Sequence, residues 1–245
     1  MRQIRSRSRK SPRVLSDIPR ALWLIVTADP EVWAVAAVSL QVATSALILA
    51  LLVGVPLGYA LGSKYFRGRD GLRIMVHTLM ALPTVVVGLT LYFAFSNSGP
   101  LGSWRLLYTR LAIVLGEWIL ATPIVAALTA TAIEHIPREA QETLRSLGLH
   151  PIRRAAVLLR EVRGSLLAAS MVAFARVFTE LGAAVILGGN IRGKTRTLTT
   201  VIALEHSKGE DVRSWAFGII LLTLALGVNA AVHRFGWSAR KGSGA

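Results

Sequence analysis

Residues 164–189 read GSLLAASMVAFARVFTELGAAVILGG, an almost unbroken run of apolar and small side chains with Arg176 and Glu180 one helical turn apart in its middle. Taken alone, such a run suits the core of a soluble protein. The chain supplies several more of similar length, however, and a bilayer core takes about 20 mostly apolar residues per crossing helix. The surrounding medium is therefore lipid, where buried charges are costly and mark function by default. Composition agrees. Of 245 residues, 53% are hydrophobic and 17% charged, with a mean hydropathy of +0.54, against roughly 25% charged in an ordinary soluble domain. The formal charge of +15 would suit a nucleic-acid binder, but the basic residues sit in short clusters between apolar runs, as in juxtamembrane loops, so no nucleic acid is expected. The chain has no cysteine, which excludes a disulfide or thiolate-metal framework.

Five spans are expected, at 32–62, 73–95, 111–133, 165–187 and 213–235, giving an all-α integral membrane protein over 31–236. A basic segment with a short apolar stretch precedes it at 1–30, and a tail follows at 237–245. Pro56 lies near the end of the first span, Pro83 near the middle of the second, and Pro123 interrupts the third; neighbouring helices can satisfy the freed carbonyls. Gly54, Gly58, Ala183 and Gly227 suit close helix packing. Clusters of arginine and lysine join the first two spans, join the third and fourth, and follow the fifth, which makes those regions cytoplasmic. With five spans the amino terminus then lies outside, against the charge of Arg2, Arg5, Arg7, Arg9, Lys10 and Arg13. Three readings of that conflict stay open: a start-site artefact, a run at 21–27 that helps cross or lies on the membrane, and a weak signal peptide.

The connection at 134–164 is too long for a turn. Its string REAQETLRSLG puts Ala140, Leu144 and Leu147 on one helical face, and Gly148 supplies a stop. Glu142, Gly148 six residues on, and the apolar pair Val157 and Leu158 resemble the cytoplasmic "EAA" loop of ABC-importer permeases. Where that pattern continues with leucine-proline this chain has Arg160 and Glu161, similar to the tungstate-type branch. The resemblance implies a five-helix type I transmembrane domain whose coupling helix, with Glu139, Ala140, Glu142, Thr143, Leu144, Leu147 and Gly148, docks on a separate ATP-hydrolysing subunit. An interfacial amphipathic helix on lipid headgroups competes with that reading.

In the fourth span Arg176 and Glu180 share a helix face and can pair. Two roles stay open: an ion pair that only orients helices, and a wall or gate of an anion path in which Glu180 tempers the pull of Arg176. The segment ARVFTELGAAVILGGN resembles the matching part of molybdate, tungstate and sulfate permeases, and favours the second role. TLMALPTVVVGLTLYF and SNSGPLG resemble the second core span and following loop of the same permeases, with Pro83 bending the helix where it lines the path.

Residues 188–195, GGNIRGKT, match the P-loop pattern GxxxxGK[ST] letter for letter. A P-loop needs a strand before it and a helix after it, and here a membrane span precedes it, so the match is read as fortuitous. The stretch 188–210 instead resembles the external loop between the last two core spans of oxyanion permeases. Asn190, Arg192, Lys194 and Arg196 offer donors and positive charge there, either to the anion itself or to solvent and a binding protein.

No catalytic constellation is present in the sequence, and the five histidines have no ligand-spaced partners, so neither metal nor cofactor is expected. Glu117, inside the third span, has no carboxylate near it in sequence. The resemblance implies a subunit of an ATP-driven importer of tungstate, or else molybdate or sulfate, in the prokaryotic plasma (inner) membrane. It would work with a second copy, two ATP-binding subunits, an extracytoplasmic oxyanion-binding protein and the bilayer. A secondary transporter or channel is the competing class, but the inverted repeats expected of an ion-coupled carrier are not evident.

Overall fold

The computed structural model describes Trp23, residues 30–63 and residues 66–241, with side chains as far as 231 and at Arg234. The rest of the basic segment before Pro30, and the last four residues, lie outside the described residues. Every described element is helical: α1 (Pro30–Ser63), α2 (Arg69–Met80), α3 (Thr84–Phe95), a short 3-10 turn (Gly102–Trp104), α4 (Arg110–Glu134), α5 (Arg138–Ser146), α6 (Pro151–Glu161), α7 (Arg163–Phe178), α8 (Gly182–Gly188), α9 (Leu198–Lys208) and α10 (Asp211–Lys241).

Three helices are long and apolar enough to cross a bilayer unaided: α1, α4 and the stretch Asp211–Ala231 of α10. The centre is the α1–α4 pair. Gly54, Gly58 and Gly62 form one stripe along α1 that faces α4; a Cβ on Gly58 would lie 2.4 Å from the carbonyl oxygen of Ala126, so only glycine permits this approach. Val38, Val42, Ala46 and Ala50 continue the seam toward Ile113, Val114, Ala121 and Val125 of α4, with Ala173 and Val177 of α7 closing the cluster. Gly227 does not share this role, because no neighbour among the described residues lies within 4 Å of where its Cβ would be.

The segments expected as the second and fourth spans are broken rather than continuous. α2 and α3 meet at 98°, α7 and α8 at 56°. The first break has a local cause: Pro83 adopts φ −64° and ψ 123°, and a proline pushes its predecessor, Leu82, out of the helical region. α2 keeps Arg69, Asp70, Arg73 and His77 on an otherwise apolar helix, whereas α3 is apolar throughout. Pro56 and Pro123 behave differently, each sitting inside an unbroken helix, so Pro123 does not interrupt the third span.

The breaks meet. A Cβ on Gly182, at the start of α8, would lie 2.8 Å from Thr84 Oγ1 at the start of α3, and one on Gly88 would lie 3.1 Å from Ala183 Cα. The amino-terminal ends of two half-helices are thus neighbours, and α3, α4 and α8 share a core of Val87, Phe95, Leu120, Ala183 and Leu187. On the opposite side α9 and α10 pack with α1 and α7 through Val32, Val35, Phe174, Phe178, Val201 and Phe217.

Candidate functional site

The second break has no proline; the Glu180 side chain makes it. Glu180 Oε1 accepts from the backbone amides of Gly182 at 2.8 Å and Ala183 at 3.4 Å, capping α8, while Oε2 accepts from Arg176 Nη1 at 2.7 Å. The carbonyl that this break frees at Glu180 is satisfied by Thr199 Oγ1 of α9 at 2.8 Å, the compensation a bilayer demands. Burial divides the pair unequally: the Glu180 side chain is 4% exposed and that of Arg176 is 38%. Arg176 and Glu180 therefore do pair, and the arginine side chain stays partly exposed. Pro83 is exposed beside the same junction.

Glu117 of α4 is buried, at 3% exposure, and lies within electrostatic reach of Glu180. Its Oε2 has no hydrogen-bond partner among the described residues. The sequence showed this acid alone; its carboxylate neighbour, Glu180, comes from the break between α7 and α8, which no local spacing could reveal.

The loop 189–197 is knotted by its own side chains. Gly189, Asn190 and Gly193 take positive φ. Thr195 Oγ1 donates to the Gly188 carbonyl and accepts from the Ile191 amide, and the Asn190 side chain bonds Thr200 and Arg196. Arg192 and Arg196 both pair with Glu31 at the start of α1. Of the four loop residues singled out above, Asn190 and Arg196 thus hold the loop, Arg196 being only 13% exposed. Arg192 faces solvent at 72%, and Lys194 is exposed while its carbonyl accepts from Arg110. Because α8 precedes Gly188, the strand a P-loop requires is missing, and the fortuitous reading of GGNIRGKT stands.

The connection at 134–164 is two helices, α5 and α6, joined at Gly148, whose φ is 64°. It is fastened to the foot of α4: Leu144 joins Ile133, Ile136, Leu158 and Val162 in one cluster, and Gln141 Nε2 donates to the carbonyls of Ile133 and Ile136. The apolar face expected of Ala140, Leu144 and Leu147 therefore divides. Leu144 turns inward, Ala140 is exposed, and Leu147 is 66% exposed beside Ile152 at 73%. Glu139, Glu142 and Thr143 are also exposed.

A bundle of continuous and broken apolar helices, with a two-helix loop that exposes Leu147 and Ile152, defines a polytopic membrane protein. The chain belongs to the family of binding-protein-dependent transport system inner membrane components, whose sequence model matches residues 54–240. It is 37% identical over 206 residues to a probable anion ABC transporter permease of Haloferax volcanii, covering 82% of this chain and 89% of the relative. It is also 37% identical over 221 residues to the tungstate uptake system permease of Campylobacter jejuni, covering 90% and 92%. Permeases named for sulfate and molybdenum transport match at lower identity. The inward-facing MetNI methionine ABC transporter shares the fold, with a TM-score of 0.69 at 17% identity over 90% of this chain and 98% of that one. The resemblance to ABC-importer permeases of the oxyanion group is borne out, and with it the importer transmembrane fold.

Proposed function

We propose that two copies of this chain form the translocation path of an ATP-driven importer for a tetrahedral oxyanion, tungstate before molybdate or sulfate, in a prokaryotic inner membrane. The relatives' names support the substrate class. The observation that carries the reading is the partly exposed side chain of Arg176, paired with Glu180 at the break between α7 and α8. An arginine there attracts an oxyanion through charge and its planar fork of donors, and half-helix amino termini favour anions at mid-membrane. Pro83 and Glu180 set the breaks that place it. Arg192 and Lys194, exposed on the outer loop, meet an anion released by an extracytoplasmic binding protein, with Asn190 and Arg196 holding their loop in shape.

Each copy docks on a separate ATPase through α5 and its turn: Glu139, Ala140, Glu142, Thr143 and Leu147, with Leu144 and Gly148 setting the shape. The bare Leu147 and Ile152 support this, since apolar side chains at such exposure on a polar loop suit a partner's groove. α6 runs directly into α7, so a displacement of the loop passes to the helix that carries Arg176. The ATPase states differ in their contacts with the loop, and that difference shifts the balance between inward- and outward-facing forms. The permease itself performs no bond chemistry.

The test is uptake of radiolabelled tungstate into proteoliposomes holding the permease, its ATPase and the binding protein. Arg176→Ala lowers uptake about tenfold, the scale of one lost charge-assisted contact, with assembly intact, and Arg176→Lys restores part of it. Normal uptake by Arg176→Ala would reject the path assignment, and uptake without ATP would favour the secondary-transporter class.

A further inference from the structure

Between the foot of α1, the start of α2, the end of α4 and α5 lies an open cavity of about 330 Å³ whose charged lining is Arg69, Arg73, Arg138, Arg145, Glu134 and Glu142. Four arginines against two glutamates leave an excess of two positive charges around one hollow. Glu134 is already engaged, its two oxygens taken by Arg69 and by Arg73 at 2.8 Å. Arg73 on α2 has that one described partner, and Arg145 on α5 donates through Nη2 to the Ser63 carbonyl at 3.3 Å. A guanidinium carries five N–H donors in a planar fork, so these two arginines, on different helices lining one cavity, keep donors for an occupant.

We infer that this cavity binds an anionic, tetrahedral phosphate-type group, either a free oxyanion or the singly charged phosphodiester of an anionic lipid headgroup. Charge and geometry both select it. Two excess positive charges suit a phosphate mono- or dianion, and arginine forks contact tetrahedral oxygens two at a time. A cationic occupant would meet Glu142 but be repelled by four arginines, and the charged lining offers an apolar one little. The bound group would tie α2 to α5 and so restrain the loop relative to the membrane body, from a site separate from the Arg176 junction.

The experiment uses the complete complex with its ATPase, purified in detergent without nucleotide. Radiolabelled inorganic phosphate is followed by equilibrium dialysis, and retained lipid by native mass spectrometry after release from vesicles of phosphatidylcholine with or without phosphatidylglycerol. The expected result for a free oxyanion is one phosphate per permease chain, with affinity about tenfold lower in the Arg73→Gln/Arg145→Gln double variant. Arg67→Gln, outside the cavity, keeps it. For a lipid headgroup, one phosphatidylglycerol per chain is retained by the wild type and lost in the double variant. Absence of both probes from the wild-type complex overturns the inference, as it would if the ATPase itself fills the hollow; so does a double variant that binds both as the wild type does. Should that variant fail to assemble, the wild type decides alone: phosphate, but not chloride at equal ionic strength, must raise its thermal stability in detergent or protect it as phosphatidylglycerol does. No protection by either rejects the site.

Discussion

Glu180→Gln keeps the size of a side chain that holds two amides and a guanidinium, and changes only its charge and one acceptor. The amide oxygen still caps α8 by accepting from Gly182, but its NH2 now faces Arg176, which donated at 2.7 Å to the carboxylate. Hydrogen bonds to charged groups contribute about 1.5–3 kcal/mol, and breaking a fully buried pair costs about 3–5 kcal/mol. Arg176 is 38% exposed, so water takes over part of the lost contact and the expected cost falls near the lower figure, about 2 kcal/mol. The assay is SDS-induced unfolding of the purified permease for wild type, Glu180→Gln, Arg176→Gln and the double variant. Removing both partners leaves no orphaned charge, so the double variant should lose less than the sum of the singles by about 1–2 kcal/mol. A coupling energy within about 0.5 kcal/mol of zero would refute the pairing.

Gly58→Ala places a methyl group 2.4 Å from the Ala126 carbonyl, and should cost about 1–3 kcal/mol in the same unfolding assay. Gly227→Ala, with open space around it, should be neutral or slightly stabilising. Leu147→Asp with Ile152→Asp should abolish copurification of the ATPase while leaving the permease folded, whereas Leu144→Asp, turned into the cluster at the foot of α4, should reduce folded yield. Lys194→Ala should leave nucleotide binding by the complex unchanged, because the letters of the P-loop lack its strand; a clear loss would revive that reading.

Hydropathy alone exposed the membrane class, because an apolar run long enough to span is legible without any contact information. The two breaks were legible unequally. Pro83 announces a bend through its missing N–H, but the angle of 98° is set by α4 and α8, distant in sequence. The break after Phe178 has no breaker residue; it exists because Glu180 caps the next helix, and an acid four residues after an arginine reads equally well as a pair within one unbroken helix. The loop arginines were misleading in the opposite way. Arg192 and Arg196 read as open cations, yet their partner Glu31 lies more than 160 residues away along the chain. The basic cluster after the first span served as an orientation signal, while the meeting of Arg69 and Arg73 with Arg138 and Arg145 at one cavity depends on how α5 packs against α1 and α2.

The sharing of one carboxylate between Arg176 and the first amides of α8 has a consequence for transport. An arginine beside the positive end of a helix, with no acid near, would hold a dianion too tightly in a low-dielectric bundle. Glu180 divided between both neutralises neither completely; on the proposed path, that leaves the junction a partial positive character to attract an anion and still release it. The two halves of this pair should therefore act in opposite directions. Arg176→Ala should shorten the retention of labelled tungstate by the reconstituted complex, and Glu180→Gln should lengthen it while slowing uptake. If both substitutions shorten retention alike, the pair serves only to set the angle between α7 and α8, and the anion passes elsewhere.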